Sequence, residues 1–241
     1  MSCCPPNIVK TWGFLGSTQF STLESKSTVA VHLYFGANCS TTIDGSTVSI
    51  ELTSGFPYAG DVNMRTTSEK PFELALRIPG WARGKYTSSM EGREEAGYLY
   101  IQVPAGSSEL KLDFNIESQF IFAHPRTRKD EVAIVRGPLV YCAESVDNEL
   151  DLEATYISPS AQITESVRPE LASYSDVPVL EVPCKVKKDW SRGDAQAGGE
   201  GLYSSQPPTY EEGPKVTLVP YFLRNNRGGD GAMRVWLGWS S

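Results

Sequence analysis

The chain has 241 residues, with 22 Lys+Arg against 29 Asp+Glu and a formal net charge of -7. That length suits one large domain or two smaller ones with cores of their own. The acidic balance argues against nucleic-acid binding, which needs a basic patch; the densest basic cluster, Arg126, Arg128 and Lys129, runs straight into Asp130 and Glu131. No apolar stretch is as long as a membrane span, and no charged-then-apolar leader follows Met1. With Met1 as the true start, the expectation is a soluble, cytoplasmic chain; with any other start the location stays open.

The first element is a short helix. In CCPPNIVKTWGFLG (3–16), Pro5 and Pro6 suit the opening turn, where a missing N–H costs nothing. Ile8, Trp12 and Leu15 fall at i, i+4 and i+7 on one face, Gly13 weakens the helix, and Gly16 ends it. From about residue 27 the texture changes to short alternating runs rich in β-branched and aromatic residues. These are TVAVHLYF (28–35), STVSIEL (46–52) after the turn-forming Asp44-Gly45, FELALRI (72–78), GYLYIQV (97–103) and LKLDFNI (110–116). EVAIVRG (131–137) and LVYCAES (139–145) flank a Gly137-Pro138 break, and KVTLVPYFL (215–223) and MRVWLGW (233–239) close the series. Many short strands with turns between them predict a mainly β chain of two consecutive β-sandwich, jelly-roll-like domains. The charged, proline-bearing HPRTRKD (124–130) marks the boundary, giving 26–125 and 126–241 after a helical segment, 1–25. The polar, glycine-rich stretch 185–214 reads as a long surface excursion.

Five cysteines at irregular spacing, Cys3, Cys4, Cys39, Cys142 and Cys184, imply no disulfide framework. Neighbouring cysteines bond to each other only with strain, and burial is the usual fate of a free thiol. The context of Cys3-Cys4 offers a sharper alternative. A thiolate at a helix N-terminus is stabilised by the exposed N–H groups, and such a thiolate is a nucleophile or a metal ligand. A zinc site needs four ligands, or three and an open position; the pair supplies two. Cys39, Cys142, Cys184, His32 and His124 are isolated in sequence and read as structural. Asn38-Cys39-Ser40 matches a glycosylation acceptor, a triplet common enough to arise by chance.

Glycosidases commonly set two acids across the scissile bond. Glu91, Glu94 and Glu95 cluster in a hairpin-like segment, and Glu211 and Glu212 in a polar loop; both groups read as surface charge. Asp147, Asn148, Glu149 and Asp151 lack the spacing of a calcium loop. Trp81, Trp190, Trp236 and Trp239 are candidate sugar-stacking platforms, although aromatics at strand spacing more often fill a core.

CCPPNI (3–8), LALRIPGWA (74–82), VAIVRGPLVYCAE (132–144) and VPYFLRNNRGGDGAMRVWL (219–237) follow one another in this order. Together they resemble the C-terminal part of glycoside hydrolase family 127, the β-L-arabinofuranosidase family. The resemblance implies an (α/α)6 catalytic barrel followed by two β-sandwiches, with residues 1–25 matching the end of the barrel. It also implies retaining removal of non-reducing-end β-L-arabinofuranose from a carbohydrate. Cys3 matches the nucleophile, which forms a thioglycosyl intermediate; Cys3 and Cys4 match zinc ligands. The other ligands, a glutamate and a cysteine, and the acid/base glutamate match nothing in these 241 residues and lie upstream in the family. Two departures stand out: Ala82, where the family often has cysteine, and GSTQFSTL (16–23), more polar than expected of a barrel helix and its exit.

The resemblance therefore implies a partial hydrolase, inactive as this chain alone, whose sandwiches brace the barrel and could support a homodimer. The alternative is a non-catalytic carbohydrate-binding or scaffolding β-protein using exposed aromatics such as Trp81 or Trp190. A metal-binding or redox protein built on Cys3-Cys4 alone lacks partner ligands.

Overall fold

The computed structural model describes residues 4–23, 27–168, 178–188, 207–228 and 231–240. One α-helix, α1 (Cys4–Leu15), precedes nineteen strands among these residues. The chain divides into two compact units, Met1–Ile116 and Glu117–Ser241. The division falls at 116/117 and not at 125/126, because the strand Ser118–Phe122 pairs with Glu131–Arg136 and so draws the HPRTRKD segment inside the second unit. No described helix is long and apolar enough to cross a membrane.

The first unit is a sandwich of two five-stranded sheets. One contains β1 (Phe20–Leu23), β2 (Thr28–Val31), β6 (Phe72–Arg77), β9 (Tyr98–Val103) and β8 (Arg93–Glu95), in that order. The other runs β3 (Ala37–Ile43), β4 (Ser46–Ser54), β5 (Asp61–Ser68), β10 (Gly106–Phe114) and β7 (Tyr86–Ser88). Within the pairs, only β2 and β6 run parallel.

Strand periodicity sets the core. In β4, Val48, Ile50 and Leu52 are buried while Thr47, Ser49, Glu51 and Thr53 are exposed. They meet Val29, Val31, Leu74, Leu76 and Ile101 of the facing sheet in one apolar layer. Each fully buried Leu or Ile there contributes about 1.5–3 kcal/mol relative to an exposed one. Two-residue turns fix the hairpin registers: Asp44 and Gly45 (φ 49° and 71°) between Ile43 and Ser46, and Ala96 and Gly97 (φ 49° and 81°) between Glu95 and Tyr98.

In the second unit, β12 (Glu131–Arg136) is flanked on one side by β11 (Ser118–Phe122). Its other side is shared. Val135 and Arg136 pair with β13 (Leu139–Glu144), and Glu131 and Val132 pair with β19 (Leu237–Trp239). From β19 the pairing passes through β14 (Thr155–Ile157) to β16 (Pro178–Lys187); from β13 it passes to β17 (Tyr210–Pro220). Since β16 and β17 pair with each other, the route closes on itself. β15 (Thr164–Val167) adds to β16, and β18 (Met233–Arg234) to β13. The enclosed core holds Val132, Ile134, Tyr141, Ile157, Leu180, Val182, Val216, Leu218 and Leu237.

Several expected elements shift. The strand expected at 28–35 stops at Val31, that at 215–223 begins earlier, at Tyr210, and that at 233–239 splits into β18 and β19. Glu211 and Glu212 therefore lie in β17 and not in a loop, and they pair with Val186 and Lys185. The surface excursion expected at 185–214 is thus strand at both ends; residues 189–206 of it lie outside the described residues.

A half-buried charge cluster fastens the last loop. Arg227 donates from Nε to Asp147 (3.1 Å) and from a terminal nitrogen to the second oxygen of Asp147 (2.6 Å) and to Glu144. Glu144 also accepts the Asn225 N–H at 2.9 Å. Asn148 is buried beside them, donating to the carbonyls of Glu144 and Thr217 and accepting from Thr217 N–H. The side chains of Glu144, Asp147 and Arg227 are 10%, 5% and 12% exposed, so solvent screens their attraction little.

Two stability predictions follow from these contacts. Gly60→Ala places a Cβ 1.8 Å from the Phe114 carbonyl oxygen; separating β5 from β10 to relieve that overlap costs about 1–3 kcal/mol or more, read as a lowered denaturant midpoint. Arg227→Leu strands two carboxylates at once, so chemical denaturation should show a loss of about 3–5 kcal/mol.

Candidate functional site

Of the cysteine pair, Cys4 sits where α1 begins. Cys3 lies outside the described residues; Cys4 is the first residue of α1 and is exposed. Pro5 and Pro6 occupy the opening turn, and Gly16 follows the last helical residue, Leu15. No residue of α1 is buried, and Ile8, Trp12 and Leu15 are 59%, 73% and 37% exposed. Thiolates are good zinc donors, and two adjacent cysteines at a helix opening fit part of a zinc ligand set. They are not a whole set: among the described residues no group of three or more His, Cys, Asp or Glu side chains is placed to hold a metal.

The polar run after the helix builds a junction. Ser17 and Thr18 donate to the carbonyls of Phe14 and Leu15 at 2.8 and 2.7 Å, taking up acceptors that the helix end leaves open. Gln19 is 1% exposed. Its side chain donates to the Phe35 carbonyl at 2.5 Å, and its own carbonyl accepts the His32 N–H at 2.8 Å. Ser21, in β1, lies 2.7 Å from Nε2 of His32, whose Nδ1 lies 2.8 Å from the Tyr98 hydroxyl. Burial lowers the His32 pKa, and the Arg77 guanidinium lowers it further. Arg77 itself stands over the Tyr98 ring at 5.4 Å. His32, expected to be structural, is the centre of this relay. Its partners Gln19, Ser21 and Tyr98 escaped the sequence reading; the one signal was the unexpected polarity of GSTQFSTL.

The remaining chemistry-bearing residues stay apart. Cys142 and Cys184 are buried in the second unit. Burial pushes the Cys142 thiol up to about 12, with Glu144 adding to it, and the Cys184 thiol up to about 11, with Glu212 adding. Cys184 donates to the Pro214 carbonyl. Burial also raises Cys39. His124 caps the turn at Pro125–Thr127, accepting the Arg126 N–H. Glu94 accepts the Tyr86 hydroxyl, Glu95 pairs with Arg93, and Glu211 pairs with Lys188. Asp147 and Asn148 point to different partners, Arg227 and the backbone respectively, and do not converge on an ion site. Trp81 stacks on Phe56 (centroids 6.2 Å, 19°) and leans on Phe114 within the first core, so it is packing and not an open sugar platform. Trp239 meets Phe122 edge to face, Trp236 is 38% exposed, and Trp190 lies outside the described residues.

Comparison with known proteins places the chain. Residues 28–115 match the profile described as Beta-L-arabinofuranosidase, GH127 middle domain, and residues 118–238 match Glycoside hydrolase family 127 C-terminal domain. A non-reducing end beta-L-arabinofuranosidase of Bifidobacterium longum subsp. longum is 32% identical over 98% of this chain and 36% of its own length. Among solved structures, Ara127N-Se, a GH127 beta-L-arabinofuranosidase from Geobacillus stearothermophilus, superposes with a TM-score of 0.83 at 31% identity, over 99% of this chain and 38% of that one. A second GH127 beta-arabinofuranosidase shares the fold at 23% identity with a TM-score of 0.80. The chain thus spans little more than a third of the length of these relatives. It belongs to glycoside hydrolase family 127 and comprises the family's middle and C-terminal β domains behind a short cysteine-bearing helix.

Proposed function

We propose that this chain is the downstream part of a retaining hydrolase acting on non-reducing-end β-L-arabinofuranosides, with Cys3 as its nucleophile. The observation that carries this reading is the position of the cysteines. Cys4 opens an exposed helix, Cys4–Leu15, upstream of residues 28–115, which match the family's middle domain. The bulk of the chain is two β units, in which Glu95, Glu211 and Asp147 are held in ion pairs and the Cys142 and Cys184 thiols are buried.

In this reading Cys3 and Cys4 are zinc ligands, completed by a glutamate and a cysteine from an upstream barrel. Zinc, when bound, would hold the thiolate in its charged form. The Cys3 sulfur attacks the anomeric carbon and the bond to the leaving oxygen breaks. An upstream glutamate gives that oxygen its proton, then takes one from the water that releases the sugar. The apolar stripe of Ile8, Trp12 and Leu15 is the surface by which α1 completes the barrel. The β units brace the barrel, and an arabinofuranose-containing carbohydrate is the substrate partner.

Retaining cleavage needs a nucleophile and a proton donor on opposite sides of one sugar, so the 241-residue chain alone should not turn over an aryl β-L-arabinofuranoside. Fused behind the remaining upstream region of the Bifidobacterium longum relative, it should do so in a zinc-dependent manner. Cys3→Ser in that fusion should cost at least about a thousandfold in kcat. Zinc-dependent turnover by the isolated chain, or an undiminished Cys3→Ser fusion, overturns the assignment.

A further inference from the structure

We propose that Gln19 and the Ser21–His32–Tyr98 relay are positioning residues, making residues 16–23 a stiff joint that fixes the cysteine-bearing helix against the first sandwich. The link to catalysis rests on the function proposed above; the joint itself does not.

The problem it solves is mechanical. α1 buries none of its side chains in this unit, so packing does not hold its direction. A helix of twelve residues is marginal without tertiary support. An ordinary linker of small polar residues would let it swing. Here each polar residue from 17 to 19, and Ser21, has a directed bond instead. Ser17 and Thr18 close the helix end. Gln19 is held twice, through its side chain to Phe35 and through its carbonyl to His32, and it is buried where an unmade bond would be costly.

Beyond Gln19 the β1–β2 ladder takes over, with Phe20 opposite Val31 and Ser21 opposite Ala30. Ser21 then reaches His32, and His32 reaches Tyr98 on β9. The short edge strand is thereby tied across the sheet to β9, whose Ile101 and Val103 lie in the core. A bond network that links β1 and β9 through His32, just past the end of β2, resists a hinge motion that a single ladder at an edge would permit.

The test uses the whole 241-residue chain carrying Cys3→Ser and Cys39→Ser, with a nitroxide label on Cys4; Cys142 and Cys184 are buried. The parent should give the partly ordered spectrum of a label on the surface of a fixed helix, the helix tumbling with the sandwich. Ser21→Ala and His32→Phe should each convert much of that signal to a mobile component while the thermal midpoint moves little, and His32→Gln should restore part of it. Gln19→Ala should do more, at some cost in stability. A parent spectrum as mobile as that of an unfolded chain, or variants as ordered as the parent, overturns the joint. Neither outcome involves substrate, so turnover of the fusion judges the nucleophile separately.

Acid should loosen the same joint. Arg77 on β6 and Tyr98 on β9 are the charged and titratable groups bearing on His32. Its folded pKa lies below the ordinary histidine value of 6.5, so the unfolded chain takes up the proton more readily. The stability held by neutral His32 is complete above pH 6.5 and is lost as pH falls from there through the folded pKa. The midpoint of urea unfolding should fall over that range in the parent and less in His32→Phe.

Discussion

Burial on one face only is the constraint on which this molecule depends. A strand throws successive side chains to opposite sides, so one apolar layer forms wherever two strand faces meet, and a shift of one residue would turn it outward. In the first unit the layer is made by Val48, Ile50 and Leu52 against Val29, Leu74, Leu76 and Ile101. Turn residues with positive φ at Asp44-Gly45 and Ala96-Gly97 hold the register that keeps them there. The same frame holds β1 through its pairing with β2, and β1 follows the helix α1 in the chain.

The fold was legible where alternation is strong. FELALR and YLYIQV declare themselves as strands, as does STVSIEL beyond its Asp-Gly turn. β3, ANCSTTI, and β5, DVNMRTTS, did not, because their outward faces are polar and their inward faces mix Thr, Ser, Cys and Met with aliphatics. Pairing to β4 on both sides makes them strands, a tertiary effect that local composition does not encode. The boundary between units was misplaced for a similar reason. HPRTRKD has the composition of a linker, yet it is the connection within the β11–β12 pair.

The site was legible only as a motif. Cys3-Cys4 before two prolines is conspicuous, and the helix that follows could be drawn from spacing alone. The relay behind it was not, because Ser21, His32 and Tyr98 are apart in sequence and meet only once β1, β2, β6 and β9 are laid side by side. Oddness of composition was the available clue. The polar run at 16–23 looked wrong for a helix exit, and each of its hydrogen-bonding side chains from Ser17 to Gln19 has a partner. Away from that segment the chain keeps its thiols quiet: burial raises the pKa of Cys142 and Cys184, and of Cys39 as well.

The shared edge of β12 has a consequence for how the second unit comes apart. An open sheet can be unzipped from its outermost strand, one ladder at a time. Here β12, β13, β17, β16, β14 and β19 form a ring of pairings, so none of these six has an outer side from which peeling can begin. Breaking the short β12–β13 ladder alone leaves the other five in place, still wrapped around Tyr141 and Leu218. Each strand of the ring is held by two ladders, so none leaves until both of its ladders are broken. The unit therefore has no outer strand among these six, and its dry core is enclosed by pairings on every side.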